Sequence, residues 1–144
     1  MTEPRAAVRL VDIRETALDP AEVLDALADV AAGGITLFVG AVRDQDQGKP
    51  VTGLDYSAHP SAMARLREVC EAVAERYDVL GVAAVHRVGR LGLGDAAVIV
   101  ATAAGHRGEA FEASRALIDD LKATVPIWKH QLFTDGSDEW VGTP

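Results

Sequence analysis

The chain has 144 residues, of which 49% are apolar and 25% charged, and its formal net charge is −8. That length and apolar content fit one domain with a real buried core. A surface this acidic repels nucleic acid and anionic membrane, which sets both aside as partners, and it gives weight to any place where cationic side chains gather.

The one cysteine, Cys70, excludes an intramolecular disulfide and a multi-thiolate metal site. It falls in an amphipathic stretch and reads as a small buried residue. The opening residues, MTEPRAAVRL, lack the apolar run of a signal peptide, and no stretch approaches the ~18 unbroken apolar residues that span a bilayer. The expectation is a soluble cytoplasmic protein.

Residues 6–13, AVRLVDIR, alternate as a strand does. Asp19-Pro20 opens a helix with Asp19 as N-cap, Val23, Leu24, Leu27 and Val30 as its apolar face, and Gly33-Gly34 as its stop. Residues 35–42, ITLFVGAV, predict a buried strand, and the polar run DQDQGKP after Arg43 predicts a mobile loop. A strand over 51–57 leads to Pro60 and a helix ending near Tyr77, with Met63, Leu66, Val69, Cys70 and Val73 facing inward. Strands over 82–88 and 96–103 flank the glycine-rich turn GRLGLGD. A third helix over about 109–124 carries Ala110, Ala113, Leu117 and Leu121 on its core side and stops at Pro126. IWKHQLF is then a strand, TDGSDE a turn and Trp140-Val141 a short return strand. The prediction is one α/β (or α+β) domain over 1–144, core about 6–141, with three helices and a mostly antiparallel sheet.

The most pointed segment is LKATVPIWKH. Lys122 lies in the last turn of the third helix, and Lys129 returns toward it after the proline turn. Two ammonium groups brought together and partly buried depress each other's pKa, which suits a nucleophile or general acid. The plain alternative is that Lys122 complements the helix dipole and Lys129 is solvated. Gly105-His106-Arg107-Gly108 stands where a strand gives way to a helix, a natural site for phosphate, although His106 also reads as a mere capping or core residue. Arg43 sits at a strand end, where it binds an anion or pairs with Asp44 or Asp46. Phe38 reads as core. His59 and His86 complete four scattered histidines without metal-ligand spacing.

In order along the chain stand FVGAVR, Tyr56 to Pro60, HRVG at 86–89, GHRGEAFEA at 105–113 and LKATVPIWKH at 121–130. Together they resemble the large, catalytic subunit of molybdopterin synthase (the MoaE family) over about residues 6–141. The resemblance implies an α/β hammerhead-like domain and a sulfurtransferase. That family turns cyclic pyranopterin monophosphate (precursor Z) into the molybdopterin dithiolene. Its sulfur comes from the C-terminal Gly-Gly thiocarboxylate of a small ubiquitin-like subunit. It works as a heterotetramer around a homodimer of large subunits and needs no metal or organic cofactor. By position, Lys122 and Lys129 match the two catalytic lysines, Arg43 a pocket arginine, Phe38 a nearby aromatic and Ile118 a pocket wall. His106 and Arg107 match an anion-binding pair that reaches in from the neighbouring large subunit. Gln131 stands where many members carry a carboxylate. The rival reading is a non-enzymatic α/β module that binds an anionic metabolite; it leaves the lysine pair unexplained.

Overall fold

The computed structural model describes residues 6–142. Among them the elements run β1 (Val8–Arg14), α1 (Pro20–Ala26), β2 (Gly34–Ala41), β3 (Gln45–Asp46), β4 (Lys49–Ala58), α2 (Ala62–Arg76), β5 (Gly81–Arg87), β6 (Gly89–Leu91), β7 (Ala96–Ala104), α3 (Arg107–Thr124), β8 (Ile127–Phe133) and β9 (Asp138–Val141). The chain is a single mixed α/β domain with three helices and mostly antiparallel sheets.

The first sheet has the order β1-β5-β7-β2, with only β1 and β5 parallel. Its central strands, β5 and β7, are covered on both faces, which explains their unbroken apolar sequences. One face carries Val82, Ala84, Val98 and Val100 against Leu66, Val73, Leu117 and Leu121 of α2 and α3. The other carries Ala83, Val85, Ile99 and Ala101 against Leu18, Val23 and Leu27 around α1. The alanines let the helices approach closely, and small residues tolerate that closeness without voids. The second sheet runs β3-β4-β8-β9, with β6 also on β4, and a third cluster of Val42, Leu54, Leu91 and Ala97 joins it to the first.

Several expectations are corrected. The first helix ends at Ala26, not at Gly33-Gly34. Beyond that end Asp29 holds a turn by accepting from the Ala31 N–H at 2.9 Å and pairing with Arg9 at 3.1 Å, and Val30 in it projects fully into solvent. Asp19 does cap α1, accepting from the Ala21 N–H. The polar run after Arg43 is no loose loop but a hairpin. Gln47 (φ 51°) and Gly48 (φ 80°) form its two-residue turn, and both φ values are positive as a type I′ turn requires. The glycine-rich turn contains β6, whose Gly89, Arg90 and Leu91 pair with Tyr56, Asp55 and Leu54. On α2, Ala62 takes the buried place expected of Met63, which is 37% exposed.

Candidate active site

α3 ends because Val125 precedes a proline. The proline ring pushes Val125 out of the helical region, to φ −82° and ψ 121°, while its N–H still closes on the Leu121 carbonyl at 3.0 Å. The chain re-emerges as β8, antiparallel to β4, with Ala58 opposite Ile127 and Tyr56 opposite Lys129. Lys122 is therefore held by the last turn of a packed helix, and Lys129 by the middle of a strand. Both line one cavity of about 700 Å³.

The other walls come from distant parts of the sequence. Phe38, Gly40 and Arg43 arrive from β2 and its exit, Tyr56 from β4, His86 from β5, Val98 from β7, and Val141 and Gly142 from the end of β9. The floor is apolar, made by Val98, Leu121 and Val125, while three of the groups at its rim are cationic. Gly40 keeps that floor open: a Cβ there would stand 2.7 Å from Cγ1 of Val98. Phe38 is 40% exposed and belongs to this wall, not to the core.

Arg43 adjoins a smaller hollow that it shares with Asp46, Tyr56, Lys129 and Gln131. Its guanidinium lies 3.7 Å from Asp46, the pairing foreseen as one alternative. Asp46 in turn accepts from the buried Gln131 amide at 2.7 Å. The β3–β4 hairpin thus carries a carboxylate into the place beside Lys129, and Gln131 satisfies it without a second negative charge.

The remaining candidates lie elsewhere. His106 is the N-cap of α3 but its side chain makes no capping bond, and both it and Arg107 are exposed. Fifteen helical steps separate Arg107 from Lys122, about 22 Å, so neither residue reaches the cavity of its own chain. Ile118 is half-buried against the α2–α3 core and does not line the cavity.

Tyr56 and His86 are wall residues that the reading of sites from sequence missed. His86 continues the Val82, Ala84 face of β5 and is only 6% exposed. Its Nδ1 lies 2.7 Å from the Arg87 carbonyl, and the Tyr56 ring meets it edge-on at 4.9 Å. Burial, with help from the Lys122 charge, lowers its pKa to about 4, against the raising effect of the Arg87 bond. Burial likewise raises the Tyr56 phenol above its ordinary value. The period-2 pattern of β5 was the available signal for His86, since it puts this ring on the face that α3 covers.

The chain is similar along most of its length to proteins of one family. The family model described as MoaE protein matches residues 13–124. A molybdopterin synthase catalytic subunit of Mycobacterium tuberculosis is 44% identical over 122 residues, 84% of this chain and 82% of that protein. Its counterpart in Halalkalibacterium halodurans is 40% identical, over 84% of this chain and 78% of the relative. Among solved structures, molybdopterin synthase from Staphylococcus aureus superposes with a TM-score of 0.86 at 27% identity, covering 92% of this chain and 97% of that one. The chain belongs to the MoaE family, the catalytic subunits of molybdopterin synthase.

Proposed function

We propose that the cavity is where sulfur passes from a thiocarboxylate tail to a phosphorylated pterin, cyclic pyranopterin monophosphate, to form the dithiolene of molybdopterin. The observation that carries this reading is the meeting of Lys122, Lys129, Arg43 and Phe38 on one cavity with an apolar floor. A thiocarboxylate and a phosphate are both anions, and cationic groups over a partly desolvated pocket attract both. Lys122 orients the thiocarboxylate of a small ubiquitin-like subunit ending in Gly-Gly. Lys129 stabilises negative charge that develops on the pterin side, and Arg43, steadied by Asp46, holds an anionic group at the rim. Holding the two reactants in line is itself worth roughly 7–11 kcal/mol in favourable cases.

The phosphate-binding share of His106 and Arg107 is assigned to a second copy. β2 is an edge strand of the first sheet, and it exposes Ile35, Phe38 and Val39, while Phe111 of α3, the helix packed on it, is exposed as well. Its Gly34 end touches the start of α3, where a Cβ on Gly34 would lie 3.1 Å from Cα of Arg107, while its Gly40 end lines the cavity. Twofold antiparallel pairing of β2 with its copy would exchange these ends and bring one copy's His106 and Arg107 to the other's cavity. Such a homodimer, with one small subunit on each copy, is the proposed assembly.

The test is reconstitution with a thiocarboxylated carrier and cyclic pyranopterin monophosphate. The expected outcome is dithiolene product from the wild-type chain and none from Lys122→Ala, with the variant still folded by circular dichroism. Normal product yield from Lys122→Ala defeats the assignment, and binding without turnover by the wild type points instead to a metabolite-binding module.

A further inference from the structure

His86 and Tyr56 are the titratable groups in the cavity wall for which the reading above gives no task, and His86 is the one with a free acceptor. A carbonyl oxygen only accepts, so Nδ1 carries the proton that goes to Arg87. In the neutral ring Nε2 is then a bare acceptor. No described residue bonds it, and it is not among the buried polar atoms left without a partner, which are Arg9 Nη1 and Arg87 Nε. Nε2 therefore keeps some accessible surface, on a residue that lines the cavity.

The other charged or titratable groups on this cavity are Arg43 from the exit of β2, Tyr56 from β4, Lys122 from α3 and Lys129 from β8. None is a carboxylate that could draw a proton onto the imidazole, and three are cations that repel one. The ring is also mechanically fixed, by the Arg87 bond at one nitrogen and by the edge of Tyr56 against its face or rim at 4.9 Å. A flexible lysine in the same cavity has many rotamers, and an acceptor fixed in place selects among them.

We propose that the Nε2 lone pair of His86 accepts a hydrogen bond from the Lys122 ammonium and so positions that amine over the cavity. His86 is a positioning residue: it acts through Lys122 and transfers no proton. Two of the three ammonium hydrogens remain free to meet the anionic tail. Protonation would replace the acceptor by a second cation, and the low pKa of His86, about 4, keeps it in the accepting form at neutral pH. This inference rests on Lys122 being the working amine.

Two isosteric substitutions separate this role from simple packing. The amide of Asn reaches the place of Nδ1, so His86→Asn retains the bond to the Arg87 carbonyl and loses the cavity acceptor. The amide of Gln reaches the place of Nε2, so His86→Gln retains the acceptor and loses the Arg87 bond. In the reconstituted reaction with thiocarboxylated carrier and cyclic pyranopterin monophosphate, His86→Asn is expected to lower kcat about 10- to 100-fold, the scale of a lost bond to a charged group. KM for the carrier stays unchanged, and His86→Gln recovers most of kcat. Wild-type kcat in His86→Asn, or equal losses in both variants, overturns the proposal. Should either variant fail to fold, the wild-type imidazole ¹⁵N spectrum decides. Nε2 must be unprotonated at neutral pH and its signal must move in Lys122→Ala; an Nε2-protonated ring, or a signal that does not respond, overturns it. Full product yield from Lys122→Ala would instead sink the reading on which this inference rests, so the two failures are told apart.

Discussion

The two ends of α3 carry cationic residues under opposite circumstances. At the C-terminal end Leu121 and Val125 are buried, and Lys122 stands over a cavity whose other walls come from six strands of the same chain. At the N-terminal end His106 and Arg107 are exposed, and among the described residues no carboxylate lies within ion-pair distance of Arg107. An acidic protein that leaves an arginine bare beside an unpaired sheet edge has placed a charge where its own fold gives it nothing to do. The proposed site, built from both ends of one helix, needs two copies of the chain, because the helix is too long to bring its own ends together.

The strongest way to break this contrast is complementation. Lys122→Ala and Arg107→Ala should each slow product formation by about 10²–10⁴-fold when assayed alone. Refolded together, the two should recover about a quarter of wild-type turnover, because random pairing makes half the dimers mixed and each mixed dimer holds one intact site. A mixture as inactive as its parents would mean that both ends serve the same copy.

Acid sharpens the contrast through stability. His86 is neutral in the folded chain to about pH 4, whereas an unfolded histidine titrates near its ordinary 6.5. The unfolded state thus binds more protons between those values, and folding free energy falls as pH drops from 6.5 to 4, by about 3 kcal/mol. Urea titrations of the wild type and His86→Gln over that window should differ by most of this amount; parallel curves would count against a buried neutral ring. Asp135, lowered to about 2 chiefly by its Ser137 hydroxyl bond, loses its contribution only below the ordinary carboxylate range and falls outside the window.

Smaller effects should distinguish floor from surface. Gly40→Ala forces a methyl against Val98, and a core overpacked in this way loses about 1–3 kcal/mol, read as a lower melting temperature. Arg107→Ala, by contrast, removes an exposed side chain and should change stability by no more than about 0.5 kcal/mol in denaturant melts despite its large loss of turnover. A large loss of stability from Arg107→Ala would show that this end of the helix is structural after all.

Much of the site was legible in LKATVPIWKH, because the features that form it are local. A proline four residues beyond Lys122 must end the helix, and an apolar-aromatic run must follow as a strand, so two lysines seven residues apart come back to one edge. The family motifs likewise lie in continuous stretches. The errors arose where local preference and context part. Val30 and Met63 satisfy a helical period but lie off the buried faces, since the helix has already ended before the first and Ala62 fills the core at the second. Gln47 is not a residue whose sequence announces a positive φ, so the hairpin that carries Asp46 looked like a loop.

By itself the sequence determined the alternation of helices and strands, the apolar central strands, the acidic character and the two amines, because periodicity, proline and net charge act over a few residues or over the whole composition. Only the tertiary structure decided between the two readings of Phe38, core or cavity, and showed that Asp46 reaches Gln131 across 85 positions and that His86 and Tyr56 meet in the wall of the cavity that Lys122 lines. Those encounters depend on sheet order and strand register. A one-residue slip would turn His86 to the opposite face, and register is fixed by the burial of whole strands, which no local stretch of sequence records.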